Sequence, residues 1–389
     1  MTIISDQPAL DALCHDLAKC PFITIDTEFL RDKTYYPSLC LIQVAPPQGN
    51  AVAIDPLAPG LNLKSLFDLM ENENVLKVFH AARQDLEIFV NLTGKVPHPV
   101  FDTQVAAMVL GFGDQIGYLN LVQEICKQKL DKGAQFTDWA RRPLTERQLL
   151  YALDDVIWLR EVYAHLDRQL KERNRTEWVF EEMGILTTLE TYHNPPEDAW
   201  QRLKLRTDKP QAIAVLMEVA RWRETEAQRR NVPRGRILRD ETLLEIAVHA
   251  PHNAVELGHI RGLGEDVARG RVGQAILHAI ESGLRMPKEK IPKQDRKRPL
   301  PQNLGPVVEM LKVLLRIAAS ENDVAGRLIA SPDDLEEIAR SDHADVPAMK
   351  GWRFDTFGRE ALDLKHGKVA LCIDGGMEIK RLGVVRPSQ

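Results

Sequence analysis

Short apolar runs alternate with helix-periodic stretches over the first 170 residues of the chain. The apolar runs are rich in Val, Ile, Leu and Phe and are typical of strands: Phe22–Asp26, Leu39–Ala45, Ala51–Ile54 and Val75–Phe79. The stretches with helical spacing are Gln7–Ala18, Leu63–Met70, Ala82–Leu92, Thr103–Leu110, Tyr118–Cys126 and Thr145–Glu172. Strands interleaved with helices predict an α/β domain, with a mixed sheet and flanking helices.

Strand-like runs almost disappear after this first domain, 1–170. Residues 207–287 show the spacing of short amphipathic helices, and residues 304–385 are again mostly helical, with a short apolar run at Val369–Ile373 near the end. The intervening segment 288–303 is rich in Lys, Arg and Pro, which predicts an extended and mobile basic linker. We therefore expect one α/β domain followed by two small all-α domains.

Composition narrows the class of protein. Apolar residues make up 44% and charged residues 28% of the 389 residues, as in globular proteins that bury a core. No apolar window is long enough to cross a membrane. The five cysteines are scattered, without the spacing of a metal site, and the N-terminus lacks the features of a secretory signal. We expect a cytoplasmic protein with reduced thiols.

Charge is unevenly distributed along the chain, although the net charge is only −5. Residues 1–170 contain 15 Lys and Arg against 22 Asp and Glu, whereas residues 201–300 contain 21 Lys and Arg against 13 Asp and Glu. An acidic body followed by a basic module suits a metal site next to a polyanion such as nucleic acid. Two ordinary solvated faces would give the same totals, so charge leaves both interpretations open.

A pair of carboxylates ends the first predicted strand. Asp26 and Glu28 are two residues apart, so the strand period places them on one face. Two such carboxylates repel each other unless a cation lies between them. Hard oxygen ligands favour Mg²⁺ or Mn²⁺ over zinc or copper. Taken alone, most pairs of this kind are solvated strand ends.

Two helices carry further candidates. Asp85 lies early in the helix that follows His80, where a carboxylate could equally serve the helix dipole. Tyr151 and Asp155 are four residues apart and share one face of the last long helix, from which Asp154 is turned by about 100°. The helical pattern alone does not decide which of the two aspartates faces the strand.

Together these residues resemble a known family. The Asp-x-Glu strand, the Asp after a strand–helix turn and the Tyr-x-x-x-Asp helix resemble the three exonuclease motifs of the DEDD superfamily, and the tyrosine is typical of its DEDDy branch. Three stretches resemble the bacterial ribonuclease D family: IDTEFLRDKTYYPSLCLIQVA, KVFHAARQDLEIF and YALDDVIWL. LMEVARWRETEAQRRNVPRGRILRDETLLEIA resembles an HRDC (helicase and ribonuclease D C-terminal) domain. DDLEEIARSDHADVPAMKGWRFDTFGREAL resembles the second, more divergent HRDC-like domain of the same family.

The resemblance implies a ribonuclease H-like first domain and 3′→5′ exoribonuclease activity. It also implies two divalent cations, Mg²⁺ or Mn²⁺, and a tyrosine, Tyr151, that aims the attacking water. The implied metal ligands are Asp26, Glu28, Asp85 and Asp155, with Asp26 as the bridging ligand. The implied substrate contacts are Thr27, Phe29, Leu30 and His80. Three other aspartates match no ligand position and are expected to be structural or solvated: Asp102, Asp114 and Asp154.

The implied partner is RNA with a free 3′ end, tRNA precursors in particular, which enters the site as a single strand. Arginines of the first helical domain are expected to bind its phosphates together with the linker: Arg221, Arg223, Arg229, Arg230, Arg234, Arg236 and Arg239. Two alternatives are a DNA proofreading or repair exonuclease and a non-catalytic nucleic-acid scaffold. The complete motif set argues against the scaffold, whereas nothing in the motifs recognises a 2′-hydroxyl.

Overall fold

A six-stranded mixed sheet forms the centre of the first domain in the computed structural model, which describes residues 2–131, 133–135, 137–292, 300–376 and 378–384. The strands are β1 (Thr2–Ile4), β2 (Phe22–Leu30), β3 (Ser38–Ala45), β4 (Val52–Ile54), β5 (Leu76–Phe79) and β6 (Val100–Asp102). Their order is β1-β4-β3-β2-β5-β6. β3 is antiparallel to β2 and β4, and the other neighbours are parallel. The predicted mixed sheet is confirmed.

The two edge strands, β1 and β6, lie outside the predicted strands. Each has three residues, too few to show a strand period. β6 ends at Asp102, whose buried carboxylate accepts hydrogen bonds from the backbone N–H groups of Ala81, Ala82 and Gln104. Ala81 has a φ of 56°, in the left-handed region. Asp102 therefore has a structural role, because it holds the turn that follows β5.

Seven helices surround the described part of this sheet: α1 (Gln7–Leu17), α2 (Lys64–Met70), α3 (Arg83–Thr93), α4 (Thr103–Val109), α5 (Tyr118–Cys126), α6 (Glu146–Glu172) and α7 (Thr176–Thr187). A capping box of Thr145 and Gln148 begins α6. The helix lies against β2, where the Thr24 hydroxyl donates to the Val156 carbonyl at 2.8 Å. Three buried residues extend the domain's core beyond residue 170: Val179, Met183 and Tyr192.

The first helical unit begins with the 3₁₀ turn Pro196–Arg202, whose Ala199 is buried in the unit's core. Its helices are α8 (Pro210–Arg230), α9 (Arg234–Ile237), α10 (Asp240–His249), α11 (Ala254–Gly258), α12 (Glu265–Arg269) and α13 (Arg271–Leu284). α13 crosses α8 closely at Gly283, where a Cβ atom would lie 2.7 Å from the Val215 Cα. Glycine is therefore required at this crossing.

The second helical unit contains α14 (Gly305–Glu321), α15 (Gly326–Ile329), α16 (Pro332–Arg340), α17 (Gly351–Arg353) and α18 (Arg359–Lys365). It then adds an antiparallel hairpin of β7 (Val369–Ile373) and β8 (Ile379–Gly383). The unit is helical as predicted, but it is not purely α. Its last apolar run forms a strand because a turn brings back a second segment with which it pairs.

The segment that connects the helical units begins and ends in 3₁₀ turns, Lys288–Lys290 and Gln302–Leu304. Residues 293–299, the middle of the predicted mobile linker, lie outside the described residues. Over the part of the chain that is described, none of the helices combines the length and the apolar character needed to span a bilayer.

The first helical unit docks on the loop that follows β2. Asn231, at the end of α8, accepts hydrogen bonds from the backbone N–H groups of Tyr35 and Tyr36 at 3.1 and 3.0 Å. The Tyr35 hydroxyl donates to the buried carboxylate of Glu224, which also binds Arg234. The Arg234 guanidinium lies 4.7 Å from the centre of the Tyr35 ring. A buried carboxylate with two such partners is costly to separate from either of them.

The second helical unit docks on α4 and α7. The backbone N–H of Ala325 donates to the Met108 carbonyl at 2.9 Å. The rings of Trp178 and Trp352 are stacked with their centres 4.4 Å apart. Arg175 donates to the backbone carbonyls of residues on both sides of this contact. Both helical units are thus held against the first domain.

Replacing Gly111 by alanine is expected to loosen this second contact. Gly111 has a φ of 81°, and a Cβ atom there would lie 2.8 Å from the backbone of Asp323. Gly113→Ala is a matched control, because Gly113 has a φ of 100° but open space around it. Both changes add backbone strain of roughly 1–2 kcal/mol, and only Gly111→Ala adds the clash. Limited proteolysis should cleave the second helical unit faster in Gly111→Ala; equal rates for both variants would contradict the contact.

Candidate active site

Three carboxylates converge where β2 meets α6. Asp26 and Glu28 lie on the face of β2 that α6 covers, and Asp155 projects from α6 towards them. Each offers an oxygen, and these oxygens all lie within 4.8 Å of one another. Asp154 is outside this group, so the packing of α6 selects Asp155 of the two neighbouring aspartates. The cleft around them has a volume of about 470 Å³.

Asp85 enters the same cleft from the first turn of α3. It is 6% exposed, and its carboxylate accepts a hydrogen bond from the hydroxyl of Thr27, which lies between the two carboxylates of β2. Asp85 does not belong to the compact group of three. Its charge nevertheless raises the pKa of Asp26, second only to burial among the causes. Asp85 is therefore close enough for its charge to act on the other carboxyl groups of the cluster.

Burial raises the pKa of all four carboxyl groups, and the charges of neighbouring carboxylates raise it further. The pKa of Glu28 rises to about 9 through burial and then the charges of Asp155 and Asp85. Burial raises the pKa of Asp85 and that of Asp155 to about 7. The pKa of Asp26 is raised well above its ordinary value. Each of these shifts favours a neutral acid unless positive charge is supplied. A hard divalent cation fits this set of oxygen donors.

Tyr151 lies one helical turn before Asp155 and also lines the cleft. Its hydroxyl donates a hydrogen bond to the Asp155 carboxylate. Burial, followed by the charges of Asp155 and Glu28, raises the pKa of Tyr151 far above its ordinary value. In the cation-free site the hydroxyl therefore stays protonated, which favours an orienting role over that of a general base.

His80 forms part of the cleft wall. Its Nδ1 lies 2.9 Å from the Thr103 hydroxyl, and its Nε2 donates to the Ile116 carbonyl at 3.1 Å. Burial lowers the pKa of His80 and so favours the neutral ring. Both ring nitrogens are thereby engaged, which leaves no lone pair directed at a metal. His80 connects the turn after β5 to the segment that precedes α5.

The other residues expected to contact substrate occupy different positions. Thr27 and Phe29 line the cleft, Thr27 buried and Phe29 half-buried. Leu30 does not line the described cleft: it packs against a separate apolar cluster that contains Trp139. Alternation alone would place Leu30 on the face of Glu28, but the register of β2 shifts between Glu28 and Phe29, and such an irregularity redirects the side chains that follow it. Asp114 is exposed and lines a different cavity, next to the second helical unit.

Several cleft residues have no motif that would reveal them. Tyr118 begins α5, and its hydroxyl donates to the Asp154 carbonyl at 2.9 Å, which joins α5 to α6 beside the carboxylates. Five more side chains line the wall: Gln84, Leu119, Asn120, Gln135 and Leu159. Gln84 precedes Asp85 directly, and this proximity is the only sequence signal among them. The remainder reach the cleft through tertiary packing.

Most of the arginines expected to bind phosphate are held by neighbouring carboxylates. Arg223 is 3% exposed and donates to the Leu238 carbonyl and to Asp240. Arg234 is bound to the buried Glu224. The remaining ion pairs join Arg221 to Glu218, and Arg229 and Arg230 to Glu226. The expectation is therefore wrong for Arg223, which supports the fold of its unit instead.

Comparison with known proteins agrees with this geometry. Residues 1–171 match the 3′-5′ exonuclease family, and residues 213–280 match the HRDC domain. The chain is 50% identical to ribonuclease D of Nitrobacter hamburgensis over 98% of this chain and 99% of that protein. It is 46% identical to ribonuclease D of Sphingobium indicum over 96% of this chain and 97% of that protein.

The chain belongs to the ribonuclease D family. It is accordingly a hydrolase, a 3′→5′ exoribonuclease. The crystal structure of Escherichia coli RNase D, an exoribonuclease involved in structured RNA processing, has a TM-score of 0.78 and 27% identity to this chain. The match covers 94% of this chain and 98% of that one, so the ribonuclease D arrangement extends over all three units.

Proposed function

We propose that the chain shortens RNA from its 3′ end by two-metal-ion hydrolysis at the four-carboxylate cleft and releases nucleoside 5′-monophosphates. The observation that carries this proposal is the group of three carboxylate oxygens within 4.8 Å of one another. Asp26, Glu28, Asp85 and Asp155 would hold two cations, Mg²⁺ or Mn²⁺. When bound, such cations stabilise the charge that develops on the attacking and leaving oxygens.

Protein groups around the carboxylates orient the reactants. The Tyr151 hydroxyl donates to Asp155, which leaves its oxygen free to accept a hydrogen bond from the attacking water. Thr27 holds Asp85 in place, and Phe29 offers an apolar face to the terminal base. His80 keeps the opposite wall in position through its two hydrogen bonds. These residues bind and orient, and none of them needs to ionise during turnover.

The substrate we propose is a tRNA precursor with a 3′ trailer, processed in the cytoplasm. Two observations support an RNA of this kind. The relatives with matching length are ribonucleases D, and the structurally similar Escherichia coli enzyme processes structured RNA. The five cysteines are free thiols, as is usual in a reducing compartment.

A 3′-labelled tRNA precursor tests the proposed reaction. With Mg²⁺ the wild-type protein should release labelled 5′-monophosphate, and excess chelator should abolish release. Asp26→Ala should be inactive at the same Mg²⁺ concentration because it lacks a central ligand. A matched DNA oligonucleotide serves as the competing substrate. Faster degradation of DNA than of RNA would favour a proofreading or repair exonuclease, and chelator-resistant activity would exclude the two-metal proposal.

A further inference from the structure

A second cavity adjoins the catalytic cleft on the side of α3. Its volume is about 400 Å³, and Gln84 lines both it and the cleft. The cavity lies where three parts of the chain meet: the first domain, the segment after α7, and the first helical unit. A strand that leaves the cleft past Gln84 enters this cavity directly.

Four arginines line the cavity, two from the first domain and two from the first helical unit: Arg31, Arg83, Arg202 and Arg234. Glu87 holds Arg31 through two hydrogen bonds of 2.8 and 2.9 Å. Glu224 binds Arg234 and lies 3.7 Å from Arg202. Four guanidinium groups against two carboxylates leave net positive charge, directly beside a cleft whose own side chains are acidic.

Arg83 differs from the other three. It is exposed and lies in the first turn of α3, two residues before Asp85. Among the described residues, no carboxylate lies within ion-pair distance of its guanidinium, whereas a carboxylate lies within 4.0 Å of each of the others. The charge of Arg83 is thus available to an anionic ligand. Because Arg83 is two residues from Asp85, that ligand would lie next to the catalytic cleft.

We propose that this cavity binds the phosphodiester backbone of the RNA strand just upstream of the scissile bond, with Arg83 as its main contact. This inference rests on the proposed function, since the strand must carry its 3′ end into the cleft. The neighbouring arginines are oriented by Glu87 and Glu224, so little side-chain entropy is lost when a phosphate approaches. The docked first helical unit completes the groove through Arg234.

RNA substrates of two lengths distinguish the contribution of this cavity from that of the catalytic cleft. The dinucleotide ApA reaches little beyond the cleft, whereas a single-stranded RNA of ten nucleotides crosses the groove. For the longer RNA, Arg83→Glu should raise KM roughly five- to tenfold, the effect of losing a charge-assisted phosphate contact. ApA hydrolysis should change less than twofold. In Arg83→Ala, the slope of log KM against log salt should decrease by about 0.7, the value for one contact to a single strand.

Two charge reversals elsewhere provide controls. Arg168→Glu alters an exposed arginine on α6 that lines another cavity, and both substrates should be hydrolysed as by the wild type. Arg316→Glu tests whether the RNA instead leaves the cleft over the cavity that lies between Asp114 and the second helical unit. If Arg316→Glu, and not Arg83→Glu, raises KM for the longer RNA, the proposed path is wrong. A wild-type protein that hydrolyses neither substrate would instead refute the proposed function.

Discussion

Asp26→Asn is expected to abolish hydrolysis and, at the same time, to stabilise the cation-free protein. Activity should fall by roughly three orders of magnitude, because the loss of one central ligand removes several kcal/mol of charge stabilisation from the transition state. Stability should rise because the half-buried Asp26 carboxylate is repelled by Asp85, Asp155 and Glu28. A neutral amide of the same shape removes that repulsion, with a gain on the order of 1–3 kcal/mol.

The pH dependence of unfolding follows from the same repulsion. Carboxyl groups whose pKa is raised in the folded state bind more protons there than in the unfolded chain. The free energy of unfolding of cation-free protein should therefore decrease as pH rises above the ordinary carboxyl range. Asp85 and Asp155 contribute up to about pH 7 and Glu28 up to about pH 9. Asp26→Asn should make this decrease shallower, and added Mg²⁺ should reverse it in the wild type.

Thermal unfolding at pH 5, 7 and 9, with chelator and with Mg²⁺, measures both effects. Asp114→Asn is the matched control, since it removes an exposed carboxylate at a distance from the cluster. Its melting temperature should follow that of the wild type at each pH. A cation-free Asp26→Asn protein that melts below the wild type at pH 9 would show that the carboxylates do not repel one another as the structure indicates.

Local periodicity accounts for part of the carboxylate cluster, and the family resemblance accounts for bringing its distant segments together. Strand alternation places Asp26 and Glu28 on one face, and helical spacing places Tyr151 one turn before Asp155. The choice between Asp154 and Asp155 was open in the residue pattern, since it depends on how α6 is rotated against β2. That rotation is fixed by tertiary contacts such as the hydrogen bond from Thr24 to Val156, for which the sequence carries no local signal.

Features that depend on packing between distant segments escaped the sequence pattern. The edge strands β1 and β6 are too short for periodicity and exist because the sheet offers them partners. Tyr118 reaches the cleft only because α5 lies against α6. Arginine-rich composition predicted a phosphate-binding face, yet Arg223 is buried against Asp240. Charge counts include residues that neutralise each other, so they overestimate the charge available to a polyanion.

Tyr151→Phe is expected to lower kcat about 100-fold while KM and the cation affinity change little. The variant keeps the ring and loses only the hydroxyl, so the carboxylates keep their positions. What disappears is the oxygen that orients the attacking water, and misplacement of a reactant by about 1 Å costs on the order of 100-fold in rate. Single-turnover rates with saturating labelled RNA measure this loss. Mg²⁺ titrations of wild type and variant should give similar midpoints.

The pH profile distinguishes orientation from proton transfer at Tyr151. Burial raises the pKa of Tyr151 above its ordinary value, so we expect its hydroxyl to stay protonated and to orient the water at neutral pH. The variant should therefore be slower by the same factor at every pH from 6 to 9. Tyr163→Phe, on the same helix and packed against the rings of Phe22 and Phe101, should behave as the wild type. If the rate deficit of Tyr151→Phe instead grew steadily with pH, Tyr151 would be identified as a base. A base acts in its deprotonated form, and the deprotonated fraction of the wild-type hydroxyl increases with pH.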